Sequence, residues 1–197
     1  LPVVSDDDDI NLLEGILDKT GDVIGLVGDD QWQLPTPCPD YDVDALVNHM
    51  VGWVRAFESG SNGRQYQGDP GAYRRGADPA ADFRTSAAGL VTGWRTLGFD
   101  RDVPVSTGSS PGPMVMNMTL MEYLTHGWDL ATATGQPVPY TDTEGAKVLQ
   151  RAEQTLPPQY RGPDMPFGVE VPIAASAPAV DRLIAFMGRD PGVHPTD

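Results

Sequence analysis

An all-α helix bundle with one or two crossover connections is the architecture that this sequence predicts, on three observations. Apolar residues recur at helical spacing over four long segments. The loops that join these segments are too long for a minimal up-down arrangement. Strand signals are weak and confined to residues 98–112. At 197 residues the chain fits one domain, 1–197, long enough to bury a sizeable core. The bundle is expected over about residues 10–156 and an extension over about 157–197.

The first helix is marked by Ile10, Leu13, Leu17, Ile24 and Val27, with Asp6 to Asp9 where negative charge favours a helix N-terminus. Gly15, Gly21 and Gly25 weaken it. Three prolines in "LPTPCPDYD" break the pattern, and Asp42 then caps a second helix carrying Leu46, His49, Met50, Val54 and Phe57. A glycine-rich polar stretch from Gly60 to Gly76 reads as a long loop. Asp78 as cap and Pro79 at the first helical position open a third helix, with Phe83, Ala87, Leu90, Trp94 and Leu97 on one face. The following loop, "VPVSTGSSPG" included, has room for a short hairpin. Helix four runs from about Pro113 to Thr134 and stops at Gly135, with Pro137 beyond. Thr141 and Glu144 form a capping box for a fifth helix bearing Val148, Leu149, Ala152 and Leu156, which Pro157 and Pro158 end. An extended, proline-punctuated segment follows, then a short helix over about Ala179–Met187 and a polar tail.

Thirteen basic against twenty-eight acidic residues give a net charge of −15, so the field of the whole protein repels phosphate backbones and anionic membrane surfaces. Nucleic acid and membrane are thereby disfavoured as partners, and no apolar run approaches the roughly 20 residues that cross a bilayer. The single cysteine, Cys38, makes no internal disulfide, and "LPVVSDDDD" lacks the features of a secretory leader. Both point to a reducing, cytoplasmic setting.

The chemistry concentrates in "MEYLTHGWDLATATG", Met121 to Gly135. Glu122 and His126 are four residues apart, so they project from one helix face within reach of a shared ion. Met116, Met118, Leu120, Met121, Leu124, Trp128, Leu130 and Ala131 leave that helix hardly any polar side, which predicts burial. A carboxylate buried there needs a compensating partner. A plain Glu–His ion pair is one answer. A metal is the other, favoured by His49 on the core-facing stripe of helix two with Leu46, Trp53 and Phe57. Two histidines and one carboxylate suit catalytic zinc with an open position, or non-haem iron. The third histidine, His194, falls in the polar tail and is expected in solvent.

"TPCPDYDVDALVNHM", "LMEYLTHGWDLATATGQP" and "RLIAFMGRDP", in this order, resemble the DinB-like metal-binding bundle proteins of actinobacteria, and among them the relatives of mycothiol-dependent maleylpyruvate isomerase. The resemblance implies a DinB-like four-helix bundle with crossover connections and additional short C-terminal helices. It implies a divalent metal on His49, Glu122 and His126, with zinc the leading candidate and nickel or iron also accepted by this set. It further implies a thiol transferase or isomerase that uses mycothiol or a similar low-molecular-weight thiol on a small electrophilic substrate. The isomerase has a separate domain after its bundle, whereas about forty residues follow helix five here, so a substrate surface from such a domain is expected to be missing. The alternative is a non-catalytic module that holds a small ligand or senses it through the same metal.

Other residues have plainer readings. Cys38, between two prolines, is read as structural rather than as a nucleophile. Asp129 is placed to orient a ligand histidine or to pair locally. Trp53 and Trp128 are read as core, and Asp6 to Asp9 as a solvated helix start that lacks the spacing of a calcium loop.

Overall fold

In a computed structural model, residues 6–162 and 167–192 are described. Helices α1 (Asp6–Gly25), α2 (Val43–Ser61), α3 (Pro79–Leu97) and α4 (Gly112–Ala133) make the core, and α5 (Asp142–Thr155) and α6 (Ala179–Phe186) follow. The local signals act as expected. Asp42 accepts a hydrogen bond from Ala45 N at 2.8 Å, and Asp78 one from Ala81 N at 2.9 Å, so both helices begin where an orphan N–H finds an acid. Thr141 and Glu144 close a reciprocal capping box at the start of α5. Gly135 takes φ 69° and ends α4, a left-handed conformation that a side chain would disfavour.

Helix α1 packs against α3 and α4, and α2 packs against the same two, so the α1–α2 and α3–α4 links each cross the bundle. The second crossing carries the expected hairpin, β1 (Asp102–Val105) paired antiparallel with β2 (Gly108–Pro111). Helix α5 lies on α4, and α6 on α5. Pro178 offers α6 no capping side chain, and Asp142 of α5 fills the role by accepting from Ala179 N at 2.8 Å. Behind α4 the approach is close at Gly127, where a Cβ would sit 1.7 Å from Tyr140 Oη. That hydroxyl shares a 2.7 Å hydrogen bond with Thr20 and donates to Tyr123 O at 3.2 Å, tying α1 to the back of α4.

Three expectations change. Leu97 is 49% exposed and Met118 41%, because each lies at the edge of its helix's buried face. Asp9 is not solvated: it is buried and paired with Arg151 of α5. Asp7 and Asp8 do face solvent. His194 and the first five residues lie outside the described residues. Among the described residues, no helix is long and apolar enough to cross a membrane.

Candidate metal centre

Because α2 packs against α4, His49 meets the pair one turn apart on α4. His49 Nε2 lies 2.6 Å from Glu122 Oε1, and His126 Nε2 lies 3.6 Å from the same oxygen. One donor atom from each of the three falls within 4.8 Å of the others. The two imidazoles approach edge to face, with ring centroids 5.1 Å apart.

Each ring is held by its other nitrogen. His126 Nδ1 donates to Asp129 Oδ2 at 3.0 Å, and since a carboxylate only accepts, a proton sits on Nδ1 and leaves Nε2 as the nitrogen that faces Glu122. Asp129 is wholly buried and is itself clamped by Arg189, from Nη2 at 2.9 Å and Nε at 3.2 Å. Asp129 therefore orients the His126 ring and also pairs with a cation sixty residues on, a partner beyond the local pairing its position suggested. His49 Nδ1 lies 3.1 Å from Tyr41 Oη, a group that can donate or accept.

The charges agree with this arrangement. Burial works to raise the Glu122 carboxyl, yet His126, the hydrogen bond from His49 and Arg189 outweigh it and hold the group below the ordinary carboxylate value. Burial disfavours the His126 imidazolium, yet Glu122 and Asp129 outweigh that, and the pKa rises. A second cluster, Cys38, His126 and Asp129, also has donors within 4.8 Å of one another. Burial raises the Cys38 thiol against the lowering pull of Arg189, so this is not an activated thiolate, as its structural reading expects.

Glu122 does not sit in a sealed core. Its side chain keeps 25% of its surface, on the floor of a cleft of about 760 Å³. Met118, Met121 and Phe57 form one side. The segment from Pro37 to Tyr41 forms another. The third wall comes from the chain after α5, through Gly162, Phe167, Gly168 and Met187–Arg189. The chain after α5 thus borders the cleft that holds the three donors. This wall is set by backbone bonds from Val171 N to Ala185 O and from Arg189 N to Ile184 O, at 2.9 and 3.0 Å.

Trp128 is buried and Trp53 packs against the core, so both are structural, as expected. Tyr41, Thr125 and Arg189 border the cleft without having been singled out. Tyr41 and Arg189 lie inside the two motifs that flank the site, which was the available signal.

Two uncharacterized proteins of Mycobacterium tuberculosis, Rv0738 and MT0763, are each 29% identical to the chain over 168 residues, covering 81% of it and 86% of their own length. Among solved structures, mycothiol-dependent maleylpyruvate isomerase and a mutant of it superpose with TM-scores of 0.56 and 0.58. Each is 16% identical, and the match covers 75% of this chain and 67% of the isomerase, a likeness of fold. Residues 13–131, which reach all four core helices and include His49, Glu122 and His126, match the family described as the mycothiol maleylpyruvate isomerase N-terminal domain. That match spans more than half of the sequence, and the chain belongs to the mycothiol maleylpyruvate isomerase N-terminal domain family.

Proposed function

We propose that the chain binds a divalent metal through His49, Glu122 and His126 and acts as a metal-dependent thiol transferase or isomerase on a small electrophilic substrate. Mycothiol, or a similar low-molecular-weight thiol, is the proposed co-substrate, on the strength of the family and of the solved relative's name. The observation that carries the reading is the convergence of three donors from two helices on the floor of an open cleft.

The donor set fits such an ion. Two neutral imidazoles and one carboxylate suit zinc, and nickel or iron accept them as well, with positions left for ligands from the cleft. The Cys38, His126 and Asp129 cluster fits less well, since the Arg189 guanidinium on Asp129 would oppose a second cation there. A cation held by the first set supplies Lewis acidity, which lowers the pKa of a thiol or water and polarises a carbonyl.

The chain's own residues do the rest. Asp129 keeps His126 in the tautomer whose Nε2 is free to ligate. In its Nδ1–H tautomer His49 donates to Tyr41 Oη and leaves Nε2 free to ligate. Tyr41 then has its own hydroxyl proton to offer a ligand. Burial, with Cys38 and Glu122 beside it, raises the Tyr41 pKa, so that proton stays in place near neutrality. Phe167 and Met187 shield one side from water.

Elemental analysis of the purified protein and of His49→Ala and Glu122→Ala tests the ligand assignment. Near-stoichiometric divalent metal in the parent and a large loss in both variants is expected; equal content in all three excludes these ligands. Thiol consumption with small electrophiles, halogenated compounds among them, should require the metal. Absence of any thiol-linked turnover across a broad panel, with metal present, would favour the non-catalytic ligand-binding or sensor module.

A further inference from the structure

Much of the cleft wall is apolar: Phe57, Met118, Met121, Phe167 and Met187 border it. Its charges are lopsided. Asp40 and Glu122 border the cleft, and among the described lining residues the one cation besides the histidines is Arg189. That guanidinium spends Nε and Nη2 on Asp129 and Nη1 on the carbonyl of Met187. Three of its five N–H groups are thereby taken and its charge is matched by buried Asp129, so it brings a ligand carboxylate no uncompensated charge. With Glu122 as the one anionic ligand, a divalent cation at the proposed centre carries a net single positive charge, which one negative or strongly polar group can match. No described residue stands ready for a second.

Thr125 adds a specific polar contact. Thr20, Thr85, Thr92, Thr96 and Thr119 each bond back to the carbonyl four residues earlier in their helices. Thr125 borders the cleft between Glu122 and His126, is 2% exposed, and its Oγ1 has no hydrogen-bond partner. A buried hydroxyl without a protein partner is unusual in a settled helix and calls for a water or a ligand group.

We infer that the cleft selects compounds with one polar head, such as a carbonyl, and an apolar or aromatic body, and rejects small dianions such as dicarboxylates. The head meets Thr125 beside the three donors, and the body lies on the methionine and phenylalanine wall. This rests on the proposed metal centre for its charge count, while the apolar wall and Thr125 stand without it.

The test uses the whole chain, metal-free and zinc-loaded, with the neutral fluorophore N-phenyl-1-naphthylamine as reporter. One probe should bind per chain in both states, and benzylideneacetone, a neutral enone, should displace it at concentrations about a hundredfold below any effect of fumarate or maleate. Met118→Asp, at a half-exposed position that tolerates charge, should weaken the probe about tenfold. Thr125→Val should weaken the enone about threefold or more and raise the melting temperature, since it removes an unpartnered hydroxyl. A merely structural Thr125 would leave enone binding unchanged. No probe binding, binding that ignores Met118→Asp, or displacement by the dianions as good as by the enone each overturns the inference. The metal-free arm measures probe and enone binding even if zinc uptake fails, so the cleft preference and the metal centre fail separately.

Discussion

Replacing Asp129 by Asn asks whether the buried acid behind His126 holds both the fold and the metal. The carboxylate is wholly buried and accepts from His126 and twice from Arg189, whose side chain is 14% exposed. Asn keeps the shape and one oxygen but strands the guanidinium without a counter-charge, which costs about 3–5 kcal/mol. At about 2–4 °C per kcal/mol for a domain of this size, the melting temperature of the metal-free protein should fall by about 6–20 °C. His126 also loses its anionic support, so zinc affinity should drop about 10- to 100-fold. The double variant Asp129→Asn, Arg189→Met separates the effects. Removing both charges should recover most of the stability, because an apolar replacement of a buried pair is about neutral, while the affinity stays low. Circular dichroism melts and zinc titration against a chromophoric chelator read the two quantities. A single variant that melts with the parent, or a double variant that restores affinity as well, would refute the reasoning.

The pH dependence follows from two opposed shifts. Glu122 has a lowered folded pKa, so its stabilisation of the metal-free fold is present above the ordinary carboxylate value and is lost as pH falls through the lowered one. His126 has a raised folded pKa, so its share is complete below the ordinary histidine value and is lost as pH rises through the raised one. Metal-free melts should therefore peak between those two ordinary values, and zinc uptake should release a proton below the His126 pKa, seen by calorimetry in buffers of different ionisation heat. Gly127→Ala drives a Cβ into Tyr140 Oη and should destabilise by about 2–4 kcal/mol in denaturant titrations, with Tyr140→Phe in the same background recovering part of it. Tyr41→Phe should lower zinc affinity about tenfold while the metal-free melt stays within a few degrees, because the ring's packing is kept.

The helices were legible where a short-range rule applied. Asp42, Asp78, Thr141 with Glu144, and Gly135 are decided by atoms within a few residues, and each acts where the sequence put it. That the bundle has crossover connections followed from loop length. What was hidden depends on partners far along the chain. Asp9 and Arg151 are separated by 142 residues, Asp129 and Arg189 by 60, and no periodicity links them. The apolar count on helix four suggested a sealed core around Glu122. It could not show that, among the described residues, the chain after α5 borders that face and leaves a cleft there.

That cleft explains why two ionisable side chains sit on so apolar a helix, and the two imidazoles show how the site divides its tasks. His126 is 9% exposed and backed by a carboxylate and a guanidinium that no solvent reaches freely, so its ring is fixed by the same contacts that hold the C-terminal wall to α4. His49 leans on a tyrosine that borders the cleft and that belongs to the loop crossing from α1 to α2. One ring is thus tied to the interior and the other to a group a ligand can touch. In the proposed centre, occupancy of the cleft would be felt first through Tyr41 and His49, while Asp129 and Arg189 keep His126 in register whatever the cleft contains.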